Sequence, residues 1–355
     1  MKTKIGDITK IRTGKLDANA ADENGKYPFF TCSKEPLKIN TYSYDCECVL
    51  VAGNGDLNVK YYNGKFDAYQ RTYIIEDDSD GLLFMPYLYF FMESYIDELR
   101  KQSIGGVIKY IKLKNLTDAL IELPSIEVQR KIVNIISKSK EIVRRKENEF
   151  ELLDELVRAR FVEMFGNPAN NPYNFSKMKL GKICDVRDGT HDSPKYQTVG
   201  YPLITSKNLT SGEIDFSNCN YIKEEDYKKI NLRSEVTRGD IIMPMIGTIG
   251  NPIIVNTDIR FAIKNVALIK FNNNTLQNIY VKYFLGSDYF DFSVLRNIRG
   301  GTQKFIALKD LRDLDILVPP LELQNQFASF VQEIDKSRLL SNHLLFLIKS
   351  ISSNH

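Results

Sequence analysis

The sequence is poor in the residues that build metal centres and disulfide frameworks. Among 355 residues there are five cysteines and three histidines. The cysteines stand at irregular spacings with no Cys-x-x-Cys pair, which argues against a zinc site and against a set of disulfides. We therefore expect reduced thiols with structural roles. They are Cys32, Cys46, Cys48, Cys184 and Cys219.

Long apolar runs are missing as well. The longest candidate, residues 81–92, has about twelve residues and contains Pro86, so it is too short to span a membrane. The first residues have no apolar core of a secretion signal. We therefore expect a cytoplasmic protein without membrane contact. The net charge of +3 is compatible with a nucleic-acid partner but does not by itself indicate one.

Motifs for catalysis are also lacking. An adenine methyltransferase needs a Gly-rich loop and an Asp/Asn-Pro-Pro-Tyr/Phe motif for the flipped base. The nearest match, residues 170–173, lacks the second proline and is interpreted as a turn. The glycines of 53–55 and 247–250 lack the spacing of a phosphate-binding loop and predict tight turns. His191 has no serine or cysteine nucleophile pattern around it, and no nuclease motif is found. A self-contained restriction or methyl-transfer enzyme is thus disfavoured.

What the sequence does contain is a long helical pattern in mid-chain. Residues 127–165 hold no proline and no internal glycine, which predicts a single helix of roughly 39 residues. Apolar residues recur every seven positions, the spacing of a coiled coil, with interruptions at Ser139, Lys146 and Arg160. The predicted interface stripe contains Ile136, Val143, Phe150, Val157 and Met164, with Ile132 and Leu153 beside it.

The chain is also an internal duplication. Gly6 and Gly14 recur as Gly181 and Gly189, an offset of 175 (181 − 6). Residues 105–129 align without a gap with residues 300–324, an offset of 195 (300 − 105). Each copy is therefore expected to end with Gly-Gly, a short strand, Leu-Lys-x-Leu, a proline and a long helix.

The second copy supplies a partner helix over residues 322–350. Prolines precede both helices, where a missing N–H is harmless. Pseudo-twofold symmetry between the copies predicts that the two helices pack as an antiparallel coiled coil. The residues of the second helix predicted at the interface are Phe327, Ile334, Leu345 and Ile348.

The remainder of each copy consists of short β-rich runs with one aromatic-rich helix. The predicted fold class is therefore α/β (α+β), with two β-rich modules related by pseudo-twofold symmetry and separated by the coiled coil. The predicted segments are 1–125 for the first module, 126–166 for the first helix, 167–319 for the second module with a turn-rich linker at 166–175, and 320–355 for the second helix.

The order of these motifs resembles that of the specificity subunits of type I restriction-modification systems. The resemblance lies in the Gly-Gly-x-x-Lys-(Tyr/Phe)-Ile-x-Leu-Lys segment of both copies, in RFVEMFGNP at 160–168, and in DGTHDSPKY at 188–196. PLITSKNL at 202–209 and MIGTIGN at 245–251 also belong to it. The first module carries different sequences at 29–36 and 51–73, which implies two unlike half-sites.

The resemblance implies two target-recognition domains, each contacting one half of a bipartite, asymmetric site on double-stranded DNA. The paired helices would set the spacer and dock two adenine-N6 methyltransferase subunits, which restriction (translocase) subunits join. This chain would then be a non-catalytic recognition subunit without a cofactor, and S-adenosylmethionine, ATP and Mg would be bound only by the partners. The alternatives are a specificity module of a type IIB or IIG-like system and a two-domain adaptor that does not bind DNA; salt-dependent binding to a split site separates the last from the others.

Base readout needs forked donors and amides on loops. Candidates in the first module are Arg12, Lys15, Lys60, Tyr62, Gln70 and Arg71; those in the second are Arg187, Thr190, His191, Lys195, Tyr196, Ser206, Lys207, Asn208, Lys264 and Asn265. For each of them the alternative is a solvated surface residue. Lys109 and Lys304 follow the Gly-Gly pair in both copies and are predicted phosphate contacts.

Overall fold

The computed structural model of the chain describes residues 2–210, 212–246, 249–271, 275–294 and 305–353, with the side chains of the last helix described as far as residue 339 and at 341. The chain forms two compact units. Unit 1 comprises residues 1–144 and 348–355, and unit 2 comprises residues 145–347. Both divisions fall inside long helices, so the module boundaries given above stay predictions.

Unit 1 contains a six-stranded sheet, a two-stranded sheet and helices. Its strands are β1 Lys2–Lys4, β2 Thr9–Thr13, β3 Tyr27–Phe30, β4 Leu37–Ile39, β5 Tyr44–Ala52, β6 Val59–Ala68, β7 Thr72–Asp77 and β8 Leu120–Glu122. Its helices are α1 Met85–Gln102, α2 Leu113–Thr117 and the first part of α3 Ile126–Phe165. The large sheet has the order β2-β7-β5-β6-β3-β4, and β1 pairs with β8.

Unit 2 repeats this plan with additions. Its strands are β9 Ser176–Lys179, β10 Asp185–Asp188, β11 Tyr201–Ile204, β12 Asn220–Ile222, β13 Ile241–Pro244, β14 Ile253–Ile254, β15 Ala262–Ile263, β16 Val266–Lys270 and β17 Asp315–Val318. Its helices are α4 Leu180–Ile183, α5 Glu224–Ser234, α6 Asn278–Leu285, α7 Asp288–Val294, α8 Leu308–Arg312 and α9 Leu321–Ser353. The sheets have the orders β10-β16-β13-β14, β12-β11-β15 and β17-β9.

The strand pairing of the two units confirms the duplication. In unit 1 the long strand β6 pairs antiparallel with β5 and then parallel with β3. In unit 2 two short strands take the place of β6. The strand β14 pairs antiparallel with β13, and β15 pairs parallel with β11. The pairs β1–β8 and β9–β17 correspond as well. Helix α5 lies between β12 and β13, where unit 1 has no helix between β4 and β5 among its described residues.

One predicted element is wrong. The segment after each Gly-Gly pair was expected to be a short strand, but in unit 1 it is a loop whose only described pairings are isolated bridges of Tyr110 with Asn54 and Ile104. The Leu-Lys-x-Leu motif forms the short helices α2 and α8, and the strands β8 and β17 follow them. The β-branched residues of the loop favoured a strand, yet no strand of the described residues pairs with it to form a ladder.

The core of unit 1 forms on both faces of its large sheet. In β5, Val49 and Val51 pack in one cluster with the α1 residues Leu88 and Met92. Alternate residues of the same strand, such as Leu50, pack in a second cluster with aromatic side chains on the opposite face. This follows from the period of two in a strand and the apolar stripe of a helix. No described helix is both long enough and apolar enough to cross a membrane.

The long helices pack antiparallel within unit 2. Near the end of α3, Phe161 and Phe165 contact Phe327 near the start of α9, with ring centroids 5.5 Å apart in both pairs. Earlier in α3, the Asp154 carboxylate accepts a hydrogen bond from Arg338 at 2.6 Å. Residues earlier in α3 therefore contact residues later in α9, which is the pattern of an antiparallel pair.

The predicted interface residues lie on the less exposed side of these helices. Val157 and Phe327 are buried in the core of unit 2, and Ile334 packs against that core. Ile136, Val143, Phe150 and Leu153 are half-buried. The side chains of Leu345 and Ile348 lie outside the described residues. The interruption at Lys146 is itself a contact in unit 2, because its ammonium group lies 3.5 Å from the hydroxyl of Ser341.

Candidate nucleic-acid interface

In unit 1, five loops lie together, four of which follow the strands β2, β3, β5 and β6. They comprise residues 13–17, 31–35, 53–58, 69–71 and 104–111, called loop cluster 1 from here on. Backbone hydrogen bonds hold them together: Gly53 N–H donates to Arg71 O at 2.8 Å, Gly55 N–H donates to Lys109 O at 3.0 Å, and Gln70 N–H donates to Leu16 O at 2.9 Å. Four of the loops are therefore connected through their backbone, and the amide of Asn58 joins the fifth by donating to Cys32 O at 2.8 Å.

Four predicted DNA contacts lie in loop cluster 1. Lys15, Gln70, Arg71 and Lys109 are all exposed. The ammonium groups of Lys15 and Lys109 have no hydrogen bond or ion pair with any described residue. The amide of Gln70 donates to the carboxylate of Asp17 at 2.8 Å, which fixes its orientation while it remains open to solvent. The structure thus brings together three cations and one amide from three separate segments of the sequence.

The other candidates of the first module lie on strands. Arg12 on β2 forms an ion pair with Glu76 at 2.7 Å and lies over the ring of Tyr44. Lys60 at the start of β6 is half-buried, and burial lowers the pKa of its ammonium group. Tyr62 packs against aromatic side chains of the second cluster on the sheet. Arg12 and Tyr62 therefore contribute to the packing of unit 1, whereas the ammonium group of Lys60 donates to Asn58 in the 53–58 loop of loop cluster 1.

Unit 2 has an equivalent set of loops, called loop cluster 2, at residues 189–193, 205–208, 245–246 and 264–265. Thr190 N–H donates to Ile263 O at 3.0 Å, and Asn265 N–H donates to Thr190 O at 3.2 Å. Lys264 N–H donates to Ile204 O at 2.9 Å, and its ammonium group contacts Ser193. Three of the predicted contacts, Thr190, Lys264 and Asn265, are therefore neighbours.

His191 is the centre of a polar network in loop cluster 2. Its Nδ1 lies 2.8 Å from Asn265 Oδ1 and its Nε2 lies 3.0 Å from Asp188 Oδ2. Both neighbours are acceptor oxygens, so only the doubly protonated ring donates to both of them. The hydrogen bonds with Asn265 and Asp188 accordingly raise the pKa of His191 above its ordinary value. Asp188 is buried and also accepts a hydrogen bond from Arg233.

The side chains of two candidates of the second module form hydrogen bonds within the protein. Asn208 is buried, and its amide group bonds to Thr205 at 3.0 Å and to the carbonyls of Asp215 and Asn218. Arg187 directs its guanidinium to Asp185 and to the carbonyl of Arg233. Both side chains therefore support the fold of the loops, and their contact with DNA stays a prediction. Asn208 forms a capping box with Thr205 at the start of the short helical turn Ser206–Leu209.

The remaining candidates differ in exposure. Lys195, Tyr196 and Lys207 are exposed, whereas Ser206 is half-buried with a buried hydroxyl that has no partner among the described residues. Lys304 lies outside the described residues. Sequence reasoning missed Arg233, which belongs to α5 and reaches Asp188 across 45 positions of the chain. No local sequence signal could have indicated that contact, because it depends on how α5 packs beside β10.

The same local backbone arrangement, or frame, occurs in each of the two loop clusters. A Cβ atom on Gly14 would lie 2.1 Å from Ala68 O, and one on Gly189 would lie 2.2 Å from Ile263 O. At both places the residue after the glycine donates its N–H to that same carbonyl. The side chains on the frame differ, since Lys15 in unit 1 corresponds to Thr190 in unit 2.

Comparison with known proteins gives a consistent result. The family profile described as "Type I restriction modification DNA specificity domain" matches residues 1–152 and 172–349. The EcoDI specificity subunit of Escherichia coli is 44% identical over 122 residues, which is 34% of this chain and only 27% of that subunit. The MjaVIII specificity subunit of Methanocaldococcus jannaschii is 22% identical over 367 aligned positions, covering 94% of this chain and 85% of that subunit.

Solved structures show the same fold. The S subunit of a type I restriction-modification system from M. genitalium matches all of this chain and 94% of its own length, with a TM-score of 0.60 at 15% identity. A chain from a study of complex assembly and conformational transition of the type I system matches all of this chain and 95% of its own length, with a TM-score of 0.58 at 16% identity.

Proposed function

Because the chain belongs to the family of type I restriction-modification DNA specificity proteins, we propose that it is a non-catalytic DNA-recognition subunit and that each unit contacts one half of a bipartite site. The observation that carries this proposal is the pair of loop clusters. Gly14 and Gly189 hold the same backbone frame, while Lys15 and Thr190 next to them differ. A shared frame with unlike side chains suits two unlike half-sites.

The side chains of loop cluster 1 suit both kinds of DNA contact. Lys15 and Lys109 offer ammonium groups for phosphates, and Arg71 offers a forked donor for guanine. The amide of Gln70 suits adenine, and Asp17 holds it in place at 2.8 Å. In loop cluster 2 the corresponding amide is that of Asn265, which His191 holds at 2.8 Å. In each cluster, therefore, an amide is fixed by a partner on the first loop.

The proposal assigns spacing and docking to the long helices. Outside its buried stripe, α3 keeps Leu152, Leu156 and Val162 exposed at 64%, 48% and 53%. Exposed apolar residues among charged ones on a helix suit a protein partner. We assign this surface to two methyltransferase subunits, to which restriction subunits add. Adenine-N6 methylation and the binding of S-adenosylmethionine, ATP and Mg then belong to those partners.

The first test uses the chain assembled with its methyltransferase subunits. Single-molecule sequencing of methylated host DNA identifies the split motif. Exchanging residues 1–125 for those of a relative should change one half of the motif and leave the other unchanged. Inserting about one turn, roughly four residues, into a long helix should change the spacer and neither half. Methylation by the purified chain without any partner would contradict the non-catalytic role. A change of both halves of the motif after the exchange would contradict the assignment of one half-site to each unit.

A charge variant tests the location of the interface. Lys109→Ala should weaken binding to the split site and lower the slope of log K against log salt by about 1, because one phosphate contact is lost. Lys2→Ala is the matched control, since Lys2 is also exposed (68%) but lies on β1, paired with β8 outside loop cluster 1. It should leave the slope unchanged. Equal slopes of log K against log salt for the two variants would contradict a phosphate contact by the Gly-Gly loop.

A further inference from the structure

The Gly-Gly loop of unit 1, residues 104–110, carries two apolar side chains at its tip. Val107 is fully exposed (104%) and Ile108 is 62% exposed. Two adjacent β-branched residues in water gain nothing for the stability of unit 1, since burial is what makes such side chains stabilising. Lys109, which directly follows them, has no ion pair with any described residue. The tip is therefore an apolar point beside a free cation.

Hydrogen bonds hold both ends of the loop. Ile104 and Tyr110 exchange both backbone hydrogen bonds, at 3.0 and 2.9 Å, which closes a short hairpin. Gly105 has a φ of +115°, and a Cβ atom there would lie 2.5 Å from Ile108 O. Just after the hairpin, Ile111 N–H donates to Gly53 O at 2.9 Å and the hydroxyl of Tyr73 donates to Ile111 O at 3.2 Å. These hydrogen bonds fix the two ends of the loop and its place beside Gly53.

The surroundings of the tip point to DNA. The loop is bonded to Gly53 and Gly55, whose segment is in turn bonded to Arg71. Loop cluster 1 holds four cations, Lys15, Lys34, Arg71 and Lys109, and three carboxylates, Asp17, Glu35 and Asp56. Asp56 is paired with Arg100 at 3.2 Å, while Asp17 accepts a hydrogen bond from the neutral amide of Gln70. An apolar tip next to Lys109, which has no ion pair with any described residue, suits a polyanion with stacked bases.

We propose that the Gly-Gly loop of unit 1 is a wedge that inserts Val107 and Ile108 at a base step of the first half-site and unstacks it. This rests on the proposed function, and it adds a contact that reads the deformability of DNA rather than base edges. Neither side chain can form a hydrogen bond, whereas apolar side chains between base steps are a known means of kinking a duplex. The hydrogen bonds at the ends of the loop matter because a mobile loop would lose entropy on top of the cost of unstacking.

The sequence of the second copy limits the wedge to one half-site. The residues that align with Val107 and Ile108 are Thr302 and Gln303, which lie outside the described residues. A threonine and a glutamine favour hydrogen bonds to bases. The wedge therefore adds to the difference between the two half-sites that Lys15 and Thr190 already indicate.

The experiment places 2-aminopurine at successive positions of the split site and measures its fluorescence on binding to the chain assembled with its methyltransferase subunits. Unstacking raises that fluorescence. We expect a rise at one step of the first half-site, absent in Val107→Ser/Ile108→Ser, together with roughly tenfold weaker binding. The slope of log K against log salt should not change, since no charge is altered. Leu82→Ser, also an exposed apolar residue (61%) but outside loop cluster 1, is the matched control.

A second pair of variants tests the shape of the loop without changing its tip. Gly105→Ala should abolish the fluorescence rise, because its new Cβ atom would lie 2.5 Å from Ile108 O. Gly106→Ala should keep the rise, because no heavy atom lies within 4 Å of its new Cβ atom. The target adenine that the methyltransferase flips is expected to brighten in every variant and is set aside. Split-site binding with no fluorescence rise at any other step would overturn the wedge and leave the proposed function intact. Unchanged DNA binding combined with loss of subunit assembly in the double serine variant would also overturn it, in favour of a protein contact. Absence of any split-site binding would instead contradict the proposed function itself.

Discussion

Gln129 and Gln324 form the same three side-chain hydrogen bonds in the two units. Gln129 Oε1 accepts the Phe84 N–H at 2.8 Å, and its Nε2 donates to the carbonyls of Leu82 and Pro124. Gln324 Oε1 accepts the Gln277 N–H at 2.8 Å, and its Nε2 donates to the carbonyls that are equivalent in unit 2. Both side chains are fully buried. Each glutamine thus joins the start of a long helix to the start of the helix that packs on the sheet.

Replacing either glutamine by leucine should destabilise its own unit. The change leaves one buried N–H and two carbonyls without partners, which costs about 3 kcal/mol or more. Hydrogen exchange gives a local readout: the Phe84 amide should lose protection in Gln129→Leu, and the Gln277 amide in Gln324→Leu. Gln326→Leu, on the exposed side of α9, is the control. Loss of protection at both amides in a single variant would show that the two contacts are not independent.

Alanine at the glycines of the loop frames should be harmful in both units. In Gly14→Ala and Gly189→Ala the new Cβ atom would lie within about 2.2 Å of a backbone carbonyl oxygen, so the strand end must move. Such overpacking costs about 1–3 kcal/mol or more. Thermal unfolding measures it, with Gly106→Ala as a control that should change stability by less than about 0.5 kcal/mol. A neutral Gly14→Ala would mean that the first loop can relax freely.

Aromatic packing should outweigh the ion pair where α3 and α9 meet in unit 2. Phe327 is fully buried against Phe161 and Phe165, so Phe327→Ala should lower the free energy of unfolding by about 3–5 kcal/mol. Arg338→Ala should cost below about 1 kcal/mol, because Asp154 is 53% exposed and the Nε atom of Arg338 is buried without a described partner. Denaturant unfolding followed by circular dichroism compares them, and the reverse order of effects would contradict this assignment.

Protonation of His191 should stabilise loop cluster 2. The hydrogen bonds with Asn265 and Asp188 raise its pKa above the ordinary value of 6.5. The added stability is therefore fully present below about pH 6.5 and is lost as the pH rises through the folded-state pKa. The imidazole signals can be followed by NMR and assigned with His191→Gln. Asn265→Ala should bring the pKa down towards its ordinary value, whereas an unchanged pKa would leave Asp188 as its sole cause.

Several features followed from the sequence because they depend on local periodicity. The long helix predicted over 127–165 is observed as Ile126–Phe165. The duplication was visible in the ungapped alignment of the two copies, in which Gln129 corresponds to Gln324. The segment after Gly105-Gly106 was wrong, since a strand needs a neighbour and its β-branched residues form an exposed loop. Asn208 stays a predicted DNA contact, although the sequence did not show that its side chain is buried. Its hydrogen bonds to residues 215 and 218 depend on a loop that folds back.

The sequence by itself determined the repeat, the two long helices and the family, because glycine spacing, proline placement and a seven-residue period are properties of neighbouring residues. Only the tertiary structure decided which polar side chains are available. Lys15 and Lys109 are separated by 94 positions (109 − 15), and they share loop cluster 1 through backbone hydrogen bonds between loops. His191 joins Asn265 and Asp188, which in turn binds Arg233, through the packing of α5. Contacts between distant segments form only when the chain has paid the entropy of closing the loops between them, and no local pattern records which of those contacts will result.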